Sequence, residues 1–176
     1  MRSRGAPWLL AALLVLPSTE SRAQPAIEWS EDDRLVTRQG PVILEKADEA
    51  RWRITLDGKT LVETQSDELG LWESFEGDDD RDHVIVRRAS GGIACPYQFR
   101  VIEARPGGRV RVSEEFGSCL DPKRTRLYGN ALVLEMPSHI PHPELLSPAE
   151  IRRRRQTTEI YTVRDGKVTR RDEIRR

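Results

Sequence analysis

The chain has 176 residues, of which 29 are Lys or Arg and 29 are Asp or Glu, so its formal charge is zero although a third of its residues are charged. Balanced charge gives no support for a general nucleic-acid or membrane-surface binder, and apolar runs that recur along the chain separate it from a disordered charged tail. The balance hides an asymmetry: residues 24–120 carry 13 basic against 20 acidic side chains, residues 121–176 carry 13 against 8. The two parts therefore either attract each other within the fold or present opposite charge to partners.

The N-terminus carries Arg2 and Arg4, then an apolar run over 8–16, then a polar stretch with Ser21 and Ala23 in the small-residue positions before a cut. This is the layout of a secretory signal peptide over 1–23, with a mature chain from Gln24. The apolar run is far shorter than the roughly 20 residues that span a bilayer, and nothing downstream is longer, so no transmembrane segment is expected after cleavage. Residues 24–176 form one expected domain, large enough to bury a core without extra staples. Arginine outnumbers lysine 25 to 4, and the only asparagine, Asn130, precedes Ala131 and makes no glycosylation sequon. A bacterial periplasm or exterior fits these features.

Residues 24–41 read as a charged lead-in that ends at the break Gln39-Gly40-Pro41. In RWRITL, Trp52, Ile54 and Leu56 alternate with Arg51, Arg53 and Thr55, and Asp57-Gly58 before TLVET predicts a hairpin over 51–65. LWESF puts Leu71, Glu73 and Phe75 on one face against Trp72 and Ser74; the acidic turn EGDDDRD and the strand HVIVRR follow. YQFRVIEA and RVRVSEEF, joined by Arg105-Pro106-Gly107-Gly108, predict an antiparallel pair. Gly129-Asn130 predicts a turn before the strand ALVLEM, and SHIPHP is punctuated by prolines that exclude a helix. Ser147-Pro148-Ala149-Glu150 supplies an N-cap, a proline at the first helical position and a capping-box glutamate for a short helix through IRRRRQ. A second Asp-Gly hairpin at 165–166 closes the chain. Eight to ten short strands and one short C-terminal helix predict a mainly β fold, an antiparallel sandwich or a partly open barrel. Trp29, Trp52, Trp72, Tyr97 and Phe99 are the expected aromatic core.

Three readings compete for the two cysteines. In an oxidising compartment two cysteines default to one disulfide, and Cys95, before one strand, meets Cys119, after the next, when the hairpin returns. A nucleophilic thiol needs a nearby base, and neither cysteine has a histidine within ten residues of sequence. A zinc site needs further ligands such as His139 and His142, whose spacing matches no closed site. The staple is the expectation. The pattern GGIACPYQFRVI, FGSC and ALVLEMP resembles uncharacterised secreted β-domain proteins of Gram-negative bacteria, in which a Gly-Gly-x-x-Cys strand precedes an FG-x-C return. That resemblance covers about a quarter of the chain; it implies compartment and disulfide and brings no activity.

Two charged runs make a candidate polar patch. Asp78, Asp80 and Asp82 are spaced as in the opening of a calcium loop, but His83 and Ala89 stand where the motif needs glycine and glutamate, so Asp78, Asp79, Asp80 and Asp82 read as an acidic turn or docking patch. Arg152, Arg153, Arg154 and Arg155 spread around a short helix at about 100° each and form no single stripe. No Gly-x-Ser-x-Gly, His-Glu-x-x-His or Walker loop is present, and no cofactor, metal or nucleic acid is expected. These features point to a non-catalytic periplasmic or secreted binding module whose partner is a protein, such as a toxin or enzyme, or an envelope polymer. A hydrolase with an unrecognised carboxylate or histidine site, with His139 or Asp80 as candidates, and a structural envelope component are the alternatives.

Overall fold

The computed structural model describes residues 33–89 and 94–175; the expected signal peptide, its cut and Trp29 lie outside them. Among the described residues the chain is mainly β, with thirteen strands: β1 Arg34–Thr37, β2 Gly40–Lys46, β3 Arg51–Leu56, β4 Lys59–Gln65, β5 Glu68–Glu76, β6 Asp82–Ala89, β7 Tyr97–Arg105, β8 Arg109–Val112, β9 Phe116–Cys119, β10 Arg124–Tyr128, β11 Ala131–Pro137, β12 Thr157–Arg164 and β13 Lys167–Ile174. The one α-helix among the described residues, α1, spans Pro148–Gln156. Every pairing is antiparallel. The strands make three sheets, β1-β2-β3-β4, β5-β6-β7-β8 with β9 also on β7, and β10-β11-β12-β13. This is a sandwich of open sheets.

The middle sheet is covered on both faces. Val84, Val86, Ile102 and Ala104 pack with Val42, Leu44, Ile54, Leu56 and Val62 of the first sheet, while Ile85, Phe99 and Val101 pack with Leu132, Leu134, Met136, Tyr161 and Val163 of the third. Successive residues of a strand point to opposite faces, so a strand buried on both sides carries near-continuous apolar sequence. HVIV and RVIEA have that character.

Three expectations change in register. The lead-in contains β1, which pairs with β2 from Arg34↔Ile43 to Thr37↔Gly40, so the break at Gln39-Gly40 is a hairpin turn. In β5 a bulge inserts Trp72 between the pairs Leu71↔Val86 and Glu73↔Ile85. An inserted residue inverts the alternation beyond it. Leu71 therefore enters the first core, whereas Trp72 and Phe75 pack in the second. The run RVRVSEEF divides into β8 and β9 at Ser113, whose N–H donates to Val101 O at 2.9 Å but whose hydroxyl takes the place of its carbonyl, accepting from Val101 N at 2.9 Å and donating to Glu114 O at 2.8 Å.

Cys95 and Cys119 are joined in a disulfide, with Cys119 opposite Tyr97 at the end of β9. Gly117 in that strand has φ +132°, and a Cβ there would lie 3.0 Å from Cδ2 of the buried Phe99 ring. Gly117→Ala is therefore expected to cost about 1–3 kcal/mol, measured as a lower urea midpoint. An unchanged midpoint would show that the ring yields.

Because each hairpin returns antiparallel, the tight turns at 38–39, 57–58, 77–81, 106–108, 129–130 and 165–166 share one end of the sandwich. Contacts confirm the grouping: the Cβ of Asp57 lies 3.3 Å from where a Cβ on Gly40 would stand, and Arg38 reaches Asp80 and Asp82. The disulfide, the 138–146 segment and α1 occupy the other end, where His139 Nε2 lies 2.8 Å from Ala94 O.

Candidate functional site

At the turn end, the 77–81 turn is closed by Gly77 N donating to Arg81 O at 2.6 Å. Asp79 and Asp80 adopt φ +58° and +52°, a region that costs L-residues about 1–2 kcal/mol each. Two neighbouring hairpins hold them there. Arg38 donates to Gly77 O at 2.9 Å and Arg81 O at 2.8 Å, and the Gln39 amide donates to Asp80 O at 2.8 Å. From the far side Asn130 Nδ2 donates to Asp79 Oδ2 at 2.7 Å. Asp78, Asp79 and Asp80 are exposed, and Glu76 joins them with a side chain 76% exposed. Asp82 departs from the expected patch. Its carboxylate is 2% exposed and accepts from Arg38 Nε at 2.7 Å, so it anchors the turn from inside.

Beneath the turn, the middle and third sheets enclose charge that the sequence reading did not single out. His83 and Glu103 are opposite each other on β6 and β7, both side chains fully buried, with His83 Nε2 3.5 Å from Glu103 Oε1. Gly77 sits over the imidazole, since a Cβ there would be 3.2 Å from His83 Cε1. The turn of the β12–β13 hairpin docks on this pair: Asp165 N donates to Glu103 Oε1 at 3.0 Å. The Asp165 carboxylate gathers Arg81 at 3.2 Å, Arg111 at 3.4 Å and Arg105 in a short contact. Burial pushes the Glu103 carboxyl up, but His83, Arg81 and the Gly166 N–H outweigh it and hold the group below the usual glutamate range. The His83–Glu103 pair is shut off from solvent, and neither ring nitrogen of His83 nor Oε2 of Glu103 makes a hydrogen bond among the described residues.

A glutamate whose folded pKa is depressed contributes stability that is fully present above its unfolded pKa and lost as the pH falls through the folded value. Unfolding free energy is therefore expected to decline with acid below the ordinary glutamate range, and less steeply in Glu103→Gln. Parallel pH profiles for the two proteins would contradict the assignment.

The arginine run lies at the other end. The expected capping box forms: Ser147 Oγ accepts from Glu150 N at 3.3 Å and Glu150 accepts from Ser147 N at 2.8 Å. None of the α1 residues is buried. Arg153 and Arg154 face a cleft of about 390 Å³ whose lining includes Glu150, Thr157, Glu159, Arg170 and Asp172; Arg152 and Arg155 are outside it. Thus the acidic and basic halves of the expected patch do not meet. In the cleft floor Glu159, with a side chain 7% exposed, accepts from Tyr161 Oη at 2.6 Å and faces Arg170 at 3.4 Å, both on Oε2. Burial first, then the Glu159 carboxylate, pushes the Tyr161 phenol well above its ordinary range.

The histidines weighed as metal ligands are engaged elsewhere: His139 with Ala94 O, His142 Nδ1 with Glu144 at 3.2 Å. Among the described residues no group of three or more His, Cys, Asp or Glu is placed to hold a metal ion, and no helix is long and apolar enough to cross a membrane. Comparison of the chain with family models, curated proteins and solved structures returns no match.

Proposed function

We propose that the protein is a non-catalytic binding module of the periplasm or cell exterior, made with a cleaved signal peptide, which engages a basic surface of a protein partner through its turn end. One observation carries the reading. The acidic turn is held in a costly conformation by side chains from two other hairpins, so its carboxylates are presented in a fixed arrangement. Local strain that the surroundings over-determine is a mark of functional positions, and a preorganised surface loses less entropy on binding. The acidic excess of residues 24–120 gives the same sign to the long-range field. The disulfide fits an oxidising compartment. An enzyme or toxin that works on an anionic envelope polymer carries the basic surface this turn complements.

The immobilised protein and its Asp78→Ala/Asp80→Ala variant are to be compared in an envelope extract over a salt series. The expected result is a basic protein retained by the unsubstituted chain at low salt, released as salt rises, and retained at least about tenfold less by the variant. Equal retention by the two would count against the turn.

A further inference from the structure

We propose that the cleft between α1 and the β12–β13 face is a second, independent binding site, for a zwitterionic ligand of short-peptide or amino-acid type. The inference comes from which polar groups in the cleft are already committed. Glu150 gives Oε2 to the Ser147 cap, and its side chain is exposed to solvent. Asp172 is bridged to Arg170 in two-point fashion, Nε to Oδ1 at 3.0 Å and Nη2 to Oδ2 at 3.2 Å. Arg154 gives Nη1 to His139 O at 3.0 Å, leaving its other N–H groups. Arg153 makes no side-chain hydrogen bond or ion pair among the described residues. Glu159 is more than nine-tenths buried, yet both its contacts fall on Oε2; its Oε1 takes none among the described residues and is not sealed from solvent.

The open groups are thus guanidinium N–H donors, chiefly those of Arg153 and Arg154 on one wall, and one oxygen of a largely buried carboxylate, Glu159 Oε1, on the floor. Guanidinium matches a ligand carboxylate, with two parallel N–H donors. The free oxygen of a largely desolvated carboxylate matches an ammonium, and a charge-assisted hydrogen bond there is stronger than at the surface. A ligand bearing only an anion would leave Glu159 Oε1 unanswered. A cation alone would face Arg153 and Arg154. The volume lies at the lower end of ligand pockets and exceeds a single small amino acid, which points to a peptide of two or three residues.

The site is tested by titrating isotope-labelled protein with tri-alanine, with its N-acetylated and C-amidated forms, and with acetate, following amide shifts. Saturable shifts confined to residues of the cleft are expected for tri-alanine, at least about tenfold weaker for either capped peptide, and lost in Arg153→Gln/Arg154→Gln. Glu159→Gln, which keeps an acceptor for Tyr161, is expected to lose the preference for a free amino terminus while retaining the native spectrum elsewhere. Equal response to capped and uncapped peptides, response to acetate alone, undiminished binding by the arginine variant, or no saturable shift with any probe would each overturn the proposal.

Discussion

Replacing Glu103 with alanine is expected to lower the unfolding free energy by about 3–5 kcal/mol, a large part of the roughly 5–15 kcal/mol that holds a domain together. The carboxylate sits between two sheets with His83, Arg81 and the Asp165 amide around it. Its removal leaves a buried guanidinium one counter-charge short and a half-buried N–H without an acceptor, and the desolvation cost of those groups remains. The loss should be shared. Replacing His83 and Glu103 together by leucine is expected to recover only part of it: apolar packing refills the space and removes the half-paired imidazole, while Arg81 and the Asp165 N–H stay without the carboxylate. Urea unfolding followed by tryptophan fluorescence reads both. A single-variant loss below about 1 kcal/mol would mean that water solvates the site and that the pair is no keystone.

The second large effect concerns the staple. Cys95 and Cys119 are 24 residues apart in sequence, and a crosslink closing a loop of that length restrains the unfolded chain by about 3–4 kcal/mol. Cys95→Ala/Cys119→Ala is expected to lose that amount, and reduction of the unsubstituted protein a similar one. The loss should appear mainly as faster unfolding if β9 docks late. A difference under about 0.5 kcal/mol would show that the β7–β9 ladder holds without the bond.

The elements that were legible in sequence share local chemistry. Asp57-Gly58 and Asp165-Gly166 make their turns because Asp and Gly both accept positive φ there, and Ser147 with Glu150 caps α1 through atoms three residues apart. What escaped depends on neighbours distant in sequence. Trp72 becomes a bulge because the middle sheet needs side chains on both faces, and GDDDRDH reads as a solvated turn until Arg38 and the docking hairpin enclose Asp82 and His83. A signal was present nonetheless. Glu103 alternates in phase with Phe99 and Val101, and Glu159 with Tyr161 and Val163; a carboxylate on the core-facing phase of a strand has to be paired or must line a cleft. The first is paired and the second lines one. The opposite placement of the acidic turn and the arginine helix follows from strand direction: β1, β3, β5 and β7 end at the turns, β8 and β9 both run away from them along β7, and β10 returns, so β11 leaves the turns and the β11–β12 connection carrying α1 lies at the far end.

The most direct test of the binding account is site-specific photocrosslinking in living cells that express the protein, with the crosslinking residue introduced at Asp78 in one strain and, in another, at the exposed Glu49 of the β2–β3 turn at the opposite end of the sandwich. A discrete adduct with a basic protein is expected from the Asp78 position, lost when Asp80→Ala and Glu76→Ala are added, and no matching adduct from Glu49. Absence of any adduct at Asp78, or an equal one at both positions, would contradict the binding account.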